Sequence, residues 1–269
     1  MPSGTLDGPR VTQLRLTAIT TTIDLTGTTF VKPGGVTTLA AMIDAFCRTG
    51  RTLHVIAPSD YGAYNYLARI HFSHFLEELG CTHTFPSVRE NDLGHDLVPL
   101  TRVASGHDAN ALGAAALNFA GAYDEGAAQA LCRAIGEAGE NVSFHSGSPA
   151  GFIAAQRFPA NGHFEFAVAD AGYGLLHTLQ AHGASNHASA IELALTEGVS
   201  ATGEANRGFG LSSIEASVAS ALSGSLSLLS GDTLTHATAS GRRATTIDFP
   251  YQGTVVYARF RGHRGRRRG

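Results

Sequence analysis

The sequence predicts an α/β (α+β) protein in two parts: a small α/β domain with helices covering a sheet, then a second domain that mixes helices and strands. Three observations predict it. Short β-branched runs alternate with helix-spaced runs over about the first 90 residues. Near residue 106 the texture turns to Ala- and Gly-rich helical text. After residue 160 a strand runs into glycines, and a further helix and two closing strands follow. With 269 residues, 43% of them hydrophobic, the chain can build two modest cores or one large one. The expected boundaries are 1–95 and 106–262, with residues 263–269 as a basic tail.

Each element has its own signal. "VTQLRLTAI" alternates apolar and polar residues as a half-buried strand does, and "TTIDLTGTTFV" reads as a second, β-branched strand. "KPGG" punctuates, and "VTTLAAMIDAFCRTG" has helical spacing that ends at Gly50, a good C-cap residue. "RTLHVIAP" is a short apolar strand, and "YNYLARIHFSHFLEELG" is an amphipathic helix ending at Gly80. "FPSVRENDLGHDLVPL" reads as an irregular connection. Beyond it, "DANALGAAALNFAGAYDEGAAQALCRAIGEAGENVSFHS" favours one or two helices. "HFEFAVADAGYG" alternates apolar residues up to an acid and breaks at glycines. A polar Ala/Gly/Ser-rich interval, 177–206, is expected to be a flexible lid. "RGFGLSSIEASVA" is a glycine turn opening a helix, and "SGSLSLLSGDTLTHATA" and "YQGTVVYARFRG" are closing strands. No internal repeat is present.

Composition excludes several function classes. A net charge of −3 gives no general attraction to nucleic acid or to an anionic membrane. No window approaches the ~18 uninterrupted apolar residues of a membrane span. "MPSGTLDGPR" lacks a basic segment followed by an apolar one, so no secretory leader is expected. Three cysteines, Cys47, Cys81 and Cys132, lie far apart in sequence and form neither a disulfide framework nor a metal knuckle, which suits a reducing cytoplasm. The 13 histidines are scattered without HxxxH or HExxH spacing. Lys32 is the sole lysine among 19 basic residues, an imbalance that reads as codon usage in a GC-rich genome. The tail "RGHRGRRRG" reads as a solvated basic end.

The second part carries three short patterns in a fixed order. Glu137, Asn141 and His145 are spaced four apart, within an arc of about 80° on one helical face. Asp170, Gly172 and Gly174 form D-x-G-x-G after a strand, and Arg207, Gly208 and Gly210 form R-G-x-G-L before a helix. Singly, these read as a polar stripe, a turn and a helix cap. Their order, with a lid-length interval between the last two, is far more specific.

These residues resemble the GHKL ATPases, the superfamily of gyrase, Hsp90, histidine kinases and MutL, and most closely the bacterial anti-sigma-factor serine kinases. "EAGENVSFH" is similar to their N box, "DAGYG" to their first glycine box and "RGFGL" to their second, and "GTVVYARF" resembles the fold's last strand. The resemblance covers roughly residues 110–260 and implies a Bergerat-type α/β sandwich, with helices on one face of a mixed sheet, that binds ATP and Mg²⁺. It makes Asn141 the Mg²⁺ ligand, Glu137 the general base and Asp170 the acceptor for the adenine amino group. Glu140 adjoins Asn141 as a second acid, but Glu137 has the one-turn spacing. Each role has a physical reason. Mg²⁺ takes one or two protein oxygens beside phosphates, and a carboxylate base must reach the attacking oxygen directly or through one water. Glycines 172, 174, 208 and 210 let backbone approach a nucleotide, Gly208 and Gly210 at a helix N-terminus suited to phosphate, with Arg207 adding charge.

The first part resembles a STAS (anti-anti-sigma) domain through "IDLTGTTFVKPGGVTTLAAMIDAF". The family's phosphorylated Ser or Thr falls here on Gly34, and Thr28, Thr29 and Thr37 lie outside the match. The resemblances together imply a cytoplasmic regulator that hydrolyses ATP or phosphorylates a protein partner, a STAS-type or sigma-factor regulator, on Ser or Thr, with room for pairing as a homodimer. The alternative is a non-catalytic, nucleotide-gated protein-binding module. No hairpin with a phosphorylatable histidine precedes the N box, which disfavours a histidine kinase.

Overall fold

The computed structural model describes residues 4–6, 14–16, 21–86, 96–104, 147–196, 210–220 and 224–261, with a few isolated positions between 104 and 147. The fold is mixed α/β, with parallel and antiparallel sheets. Among the described residues no helix is long and apolar enough to cross a membrane.

The first part contains β1 (Gly4–Leu6), β2 (Leu14–Leu16), β3 (Thr21–Asp24), β4 (Thr28–Val31), α1 (Pro33–Cys47), β5 (Leu53–Ile56), α2 (Tyr61–Arg69), α3 (Phe72–Glu78) and β6 (Thr82–His83). β2, β3, β5 and β6 form a four-stranded sheet in that order, antiparallel at β2/β3 and parallel thereafter, while β1 pairs with β4 in parallel. The run 21–31, expected as one strand, is two. Asp24 accepts from the N–H and hydroxyl of Thr26 and closes a turn between them.

"KPGG" does not punctuate. α1 begins at Pro33, whose missing N–H costs nothing in a first turn. Gly34 therefore lies buried inside a helix, and the Thr37 and Thr38 hydroxyls donate to the carbonyls of Pro33 and Gly34. The helix expected across 64–80 is broken in two at His71, which adopts φ 65. The carbonyl of Ile70 accepts from the Leu100 N–H at 3.0 Å, so a strand from the "irregular" connection takes over an acceptor at the break.

That strand is β7 (Leu97–Val103). With β8 (Gly151–Phe158), β9 (His163–Asp170), β10 (Ser225–Thr238) and β11 (Gly241–Arg261) it makes a five-stranded sheet ordered β10-β11-β9-β8-β7. Among the described residues every pairing in this sheet is antiparallel, where a mixed sheet was expected. Between β9 and β10 lie α4 (Gly174–Leu179), α5 (His187–Ala194) and α6 (Gly210–Ser220). The interval 177–206 is thus helical over much of its described length, α5 being started by a reciprocal cap between Asn186 and Ser189.

The sheet is covered on both faces, not on one. Ile153, Phe164, Phe166, Val168, Val256 and Phe260 pack with α4–α6. The alternate residues Phe152, Ala154, Ala169 and Val255 pack with α1 and the first part's core. β9, central and covered twice, is buried at all eight positions, and α1 is buried along most of its length.

Arg242, at the start of β11, ties the helices on either side of residues 197–209 together. Its guanidinium donates to Glu192 of α5 at 2.6 Å, to the Leu195 carbonyl at 3.0 Å and to both carboxylate oxygens of Glu215 of α6. These bonds are charge-assisted but partly solvent-screened. Arg242→Ala should lower unfolding free energy by about 1–2 kcal/mol in urea titrations. Arg242→Lys should recover less than half of that loss, because one ammonium cannot reproduce the fork.

Candidate functional site

The site begins where β9 ends. Asp170 is the last residue of a fully buried strand, and the chain then turns through "AGYG" into α4. Asp170 is 5% exposed, and its carboxylate accepts from the Gly172 N–H at 2.8 Å. The Thr254 N–H, from the facing position of β11, is a second donor to it. Burial outweighs these donors and pushes the carboxyl up to about 6, with the two N–H groups pulling the other way. The side chain is a buried acceptor whose charge the protein compensates only in part.

The backbone around it is tightly joined. The Tyr251 hydroxyl donates to the Asp170 carbonyl at 2.7 Å, and burial holds that phenol protonated. Ser230, fully buried on β10, donates to the Gly253 carbonyl at 3.0 Å and accepts from the Leu175 N–H at 2.9 Å, locking the first turn of α4 to the sheet. Gly174 adopts φ +74, and a Cβ there would lie 2.9 Å from Ser230 Oγ. Packing against Ser230 and Gly253 therefore accounts for this glycine without a ligand. Gly172 is buried and supplies its N–H to Asp170.

Of the other expected site residues, Gly210 opens α6. Glu137, Asn141, His145, Glu140, Arg207 and Gly208 lie outside the described residues. The segment just after the first motif is described, and it meets the second. Gly151 pairs with Asp170 across β8/β9, and Gly147 lies under the Tyr173 ring, where a Cβ would overlap the ring carbons. Tyr173 itself is exposed and tilts over His177 at 4.5 Å.

Sequence reading missed Tyr251, Gly253, Thr254 and Ser230. A glycine inside a strand pattern marks a close backbone approach, so Gly253 in "YQGTVV" was a usable signal. The partners of Asp170 on another strand have no local signature. Among the described residues no cluster of three His, Cys, Asp or Glu side chains is placed to hold a metal ion. What the arrangement can do is accept a hydrogen bond from a neutral donor in a site that disfavours a second acceptor.

No family model matches the chain, and no curated protein matches it.

Proposed function

We propose that the protein is an ATP-binding regulator of the GHKL type that acts on a protein partner, with a STAS-like first part. The observation that carries the reading is Asp170, a buried carboxylate at the end of a central strand that leads through a glycine turn into a helix. Adenine fits this group. Its exocyclic amino group donates to a carboxylate, whereas guanine presents a carbonyl oxygen at the same ring position and would meet an acceptor with an acceptor. The helices between β9 and β10, and the meeting of residues 147–151 with the glycine turn, support the reading. Asn141 is the residue that would hold Mg²⁺ on the phosphates, and the second glycine motif would cradle them.

Calorimetric titration tests the reading. ATP should bind ~10–100-fold more tightly than GTP, the worth of a charge-assisted hydrogen bond. Equal affinities would remove Asp170 from base recognition. With adenosine, which has no phosphate to titrate, affinity should be level above pH 7. It should fall about tenfold per unit below pH 6 as the carboxyl takes up its proton.

Turnover is a separate question from binding, and Glu137 divides the two forms of the proposal. As a general base its loss in Glu137→Ala should reduce hydrolysis or phosphotransfer by about 10²–10⁴-fold and leave ATP affinity largely intact. A wild-type protein that binds ATP with no turnover favours the nucleotide-gated module. Gly34, buried in the first turn of α1, offers no hydroxyl at the position where STAS domains are phosphorylated, so the phosphate acceptor is assigned to a separate protein.

A further inference from the structure

Cys47 and Cys81, 34 positions apart in sequence, meet in the fold with their sulfurs 3.4 Å apart. Cys47 is the last residue of α1, and Cys81 stands between α3 and β6. Both are free thiols. The contact joins two different layers, because α1 packs on β8 and β9 of the five-stranded sheet while β6 is an edge of the four-stranded one. Cys81 is buried and Cys47 is half-buried, so an oxidant in solution meets Cys47 first. Burial, then the hydrogen bond with Cys47, pushes the Cys81 thiol up to about 12 and keeps it protonated until the partner sulfur is activated.

We propose that Cys47 and Cys81 are a redox modification site that a hydroperoxide converts to an intramolecular disulfide. Cys47, attacking as the thiolate, takes the terminal peroxide oxygen and becomes a sulfenic acid. The O–O bond breaks, and the departing alkoxide, or hydroxide when the oxidant is hydrogen peroxide, takes up the proton that the Cys47 thiol released and leaves as alcohol or water. The Cys81 sulfur then attacks Cys47 Sγ; the S–OH bond breaks, and the departing hydroxide takes the Cys81 proton as water. Two thiols are oxidised by two electrons and one peroxide is reduced. The bond closes the loop that contains β5, α2 and α3, and ties the helix that covers the sheet bearing Asp170 to the neighbouring sheet. The site is independent of the nucleotide reading, because its chemistry uses only the Cys47 and Cys81 sulfurs.

The test uses the full chain with excess hydrogen peroxide. Unfolded-state thiol titration should fall from three thiols to one, Cys132 remaining. The mass should drop by two hydrogens, and proteolytic mapping should find the Cys47–Cys81 cross-link. The oxidised protein should melt roughly 5–10 °C higher, reversibly with dithiothreitol. Cys47→Ser and Cys81→Ser should each abolish the shift, while Cys132→Ser should keep it. Retention of all three thiols overturns the proposal. So does over-oxidation of Cys47 with Cys81 left free, or a cross-link that uses Cys132 or a second chain.

Discussion

Asp170→Asn is expected to weaken ATP binding by ~10–100-fold while leaving the folded protein as stable as the wild type, or more so, at pH 8. The two halves of this result have one cause. The carboxyl rises from an ordinary 3.8 to about 6 because burial disfavours its charged form. A folded-state value above the unfolded one means that the native protein binds the extra proton between about pH 4 and 6. Stability from this group is therefore fully present below pH 4, and is lost as pH rises through 6. Above that window the ionised side chain costs about 3 kcal/mol relative to the unfolded chain. An asparagine removes the charge and keeps an acceptor oxygen for the Gly172 and Thr254 N–H groups, so much of that cost disappears. Melting curves at pH 5 and pH 8 check the linkage: the variant should gain on the wild type at the higher pH. Calorimetry at pH 8 checks the binding. A variant several degrees less stable at pH 8 would make Asp170 a structural residue and remove the case for a strained functional one.

What the sequence made legible follows from how local each signal is. β9 was readable because alternation, an acid and two glycines lie within twelve residues, and the strand and turn stand where that text puts them, while the helix that follows had no such signal. α6, β10 and most of β11 were readable for the same reason. β8 and β7 were not. "GFIAAQRF" is too uniformly apolar at its start to show a period of two, since both faces of that strand are covered. β7 contains Pro99, and its identity as a strand depends on pairing with β8. The break at His71 was invisible because the amphipathic pattern runs through it, and only the distant Leu100 N–H gives the Ile70 carbonyl another partner. The charge on Asp170 illustrates the limit most clearly. Its position was a sequence fact, but its burial and the Thr254 donor arise from strands that are neighbours only in the fold.

Gly253→Ala is expected to be the most destabilising single-methyl change near this site. Gly253 has φ +111, a conformation that L side chains rarely adopt, and its place on β11 is opposite the end of β9. A Cβ at this position would overlap the Asp170 carbonyl oxygen and stand 2.8 Å from Ala171 Cα. Both are backbone atoms, so no side-chain rotation relieves the overlap; the strands must part. Parting them pulls on the Tyr251 hydrogen bond to the same carbonyl and on the Ser230 bond to the Gly253 carbonyl, which holds α4 in place. Backbone strain of ~1–3 kcal/mol and overpacking of a similar size together predict a loss of about 3 kcal/mol or more, or roughly 6–12 °C in melting temperature. Gly241 separates the two contributions, because it has φ +123 yet nothing within 4 Å of the place a methyl group would take. Gly241→Ala carries the strain alone and should cost about 1 kcal/mol. Urea titrations of both variants measure the difference, and ATP affinity of the folded fraction of Gly253→Ala should fall with the displaced carboxylate. Equal destabilisation by the two substitutions would mean that β11 does not press on the Asp170 turn, and that Asp170 is held by its own loop instead.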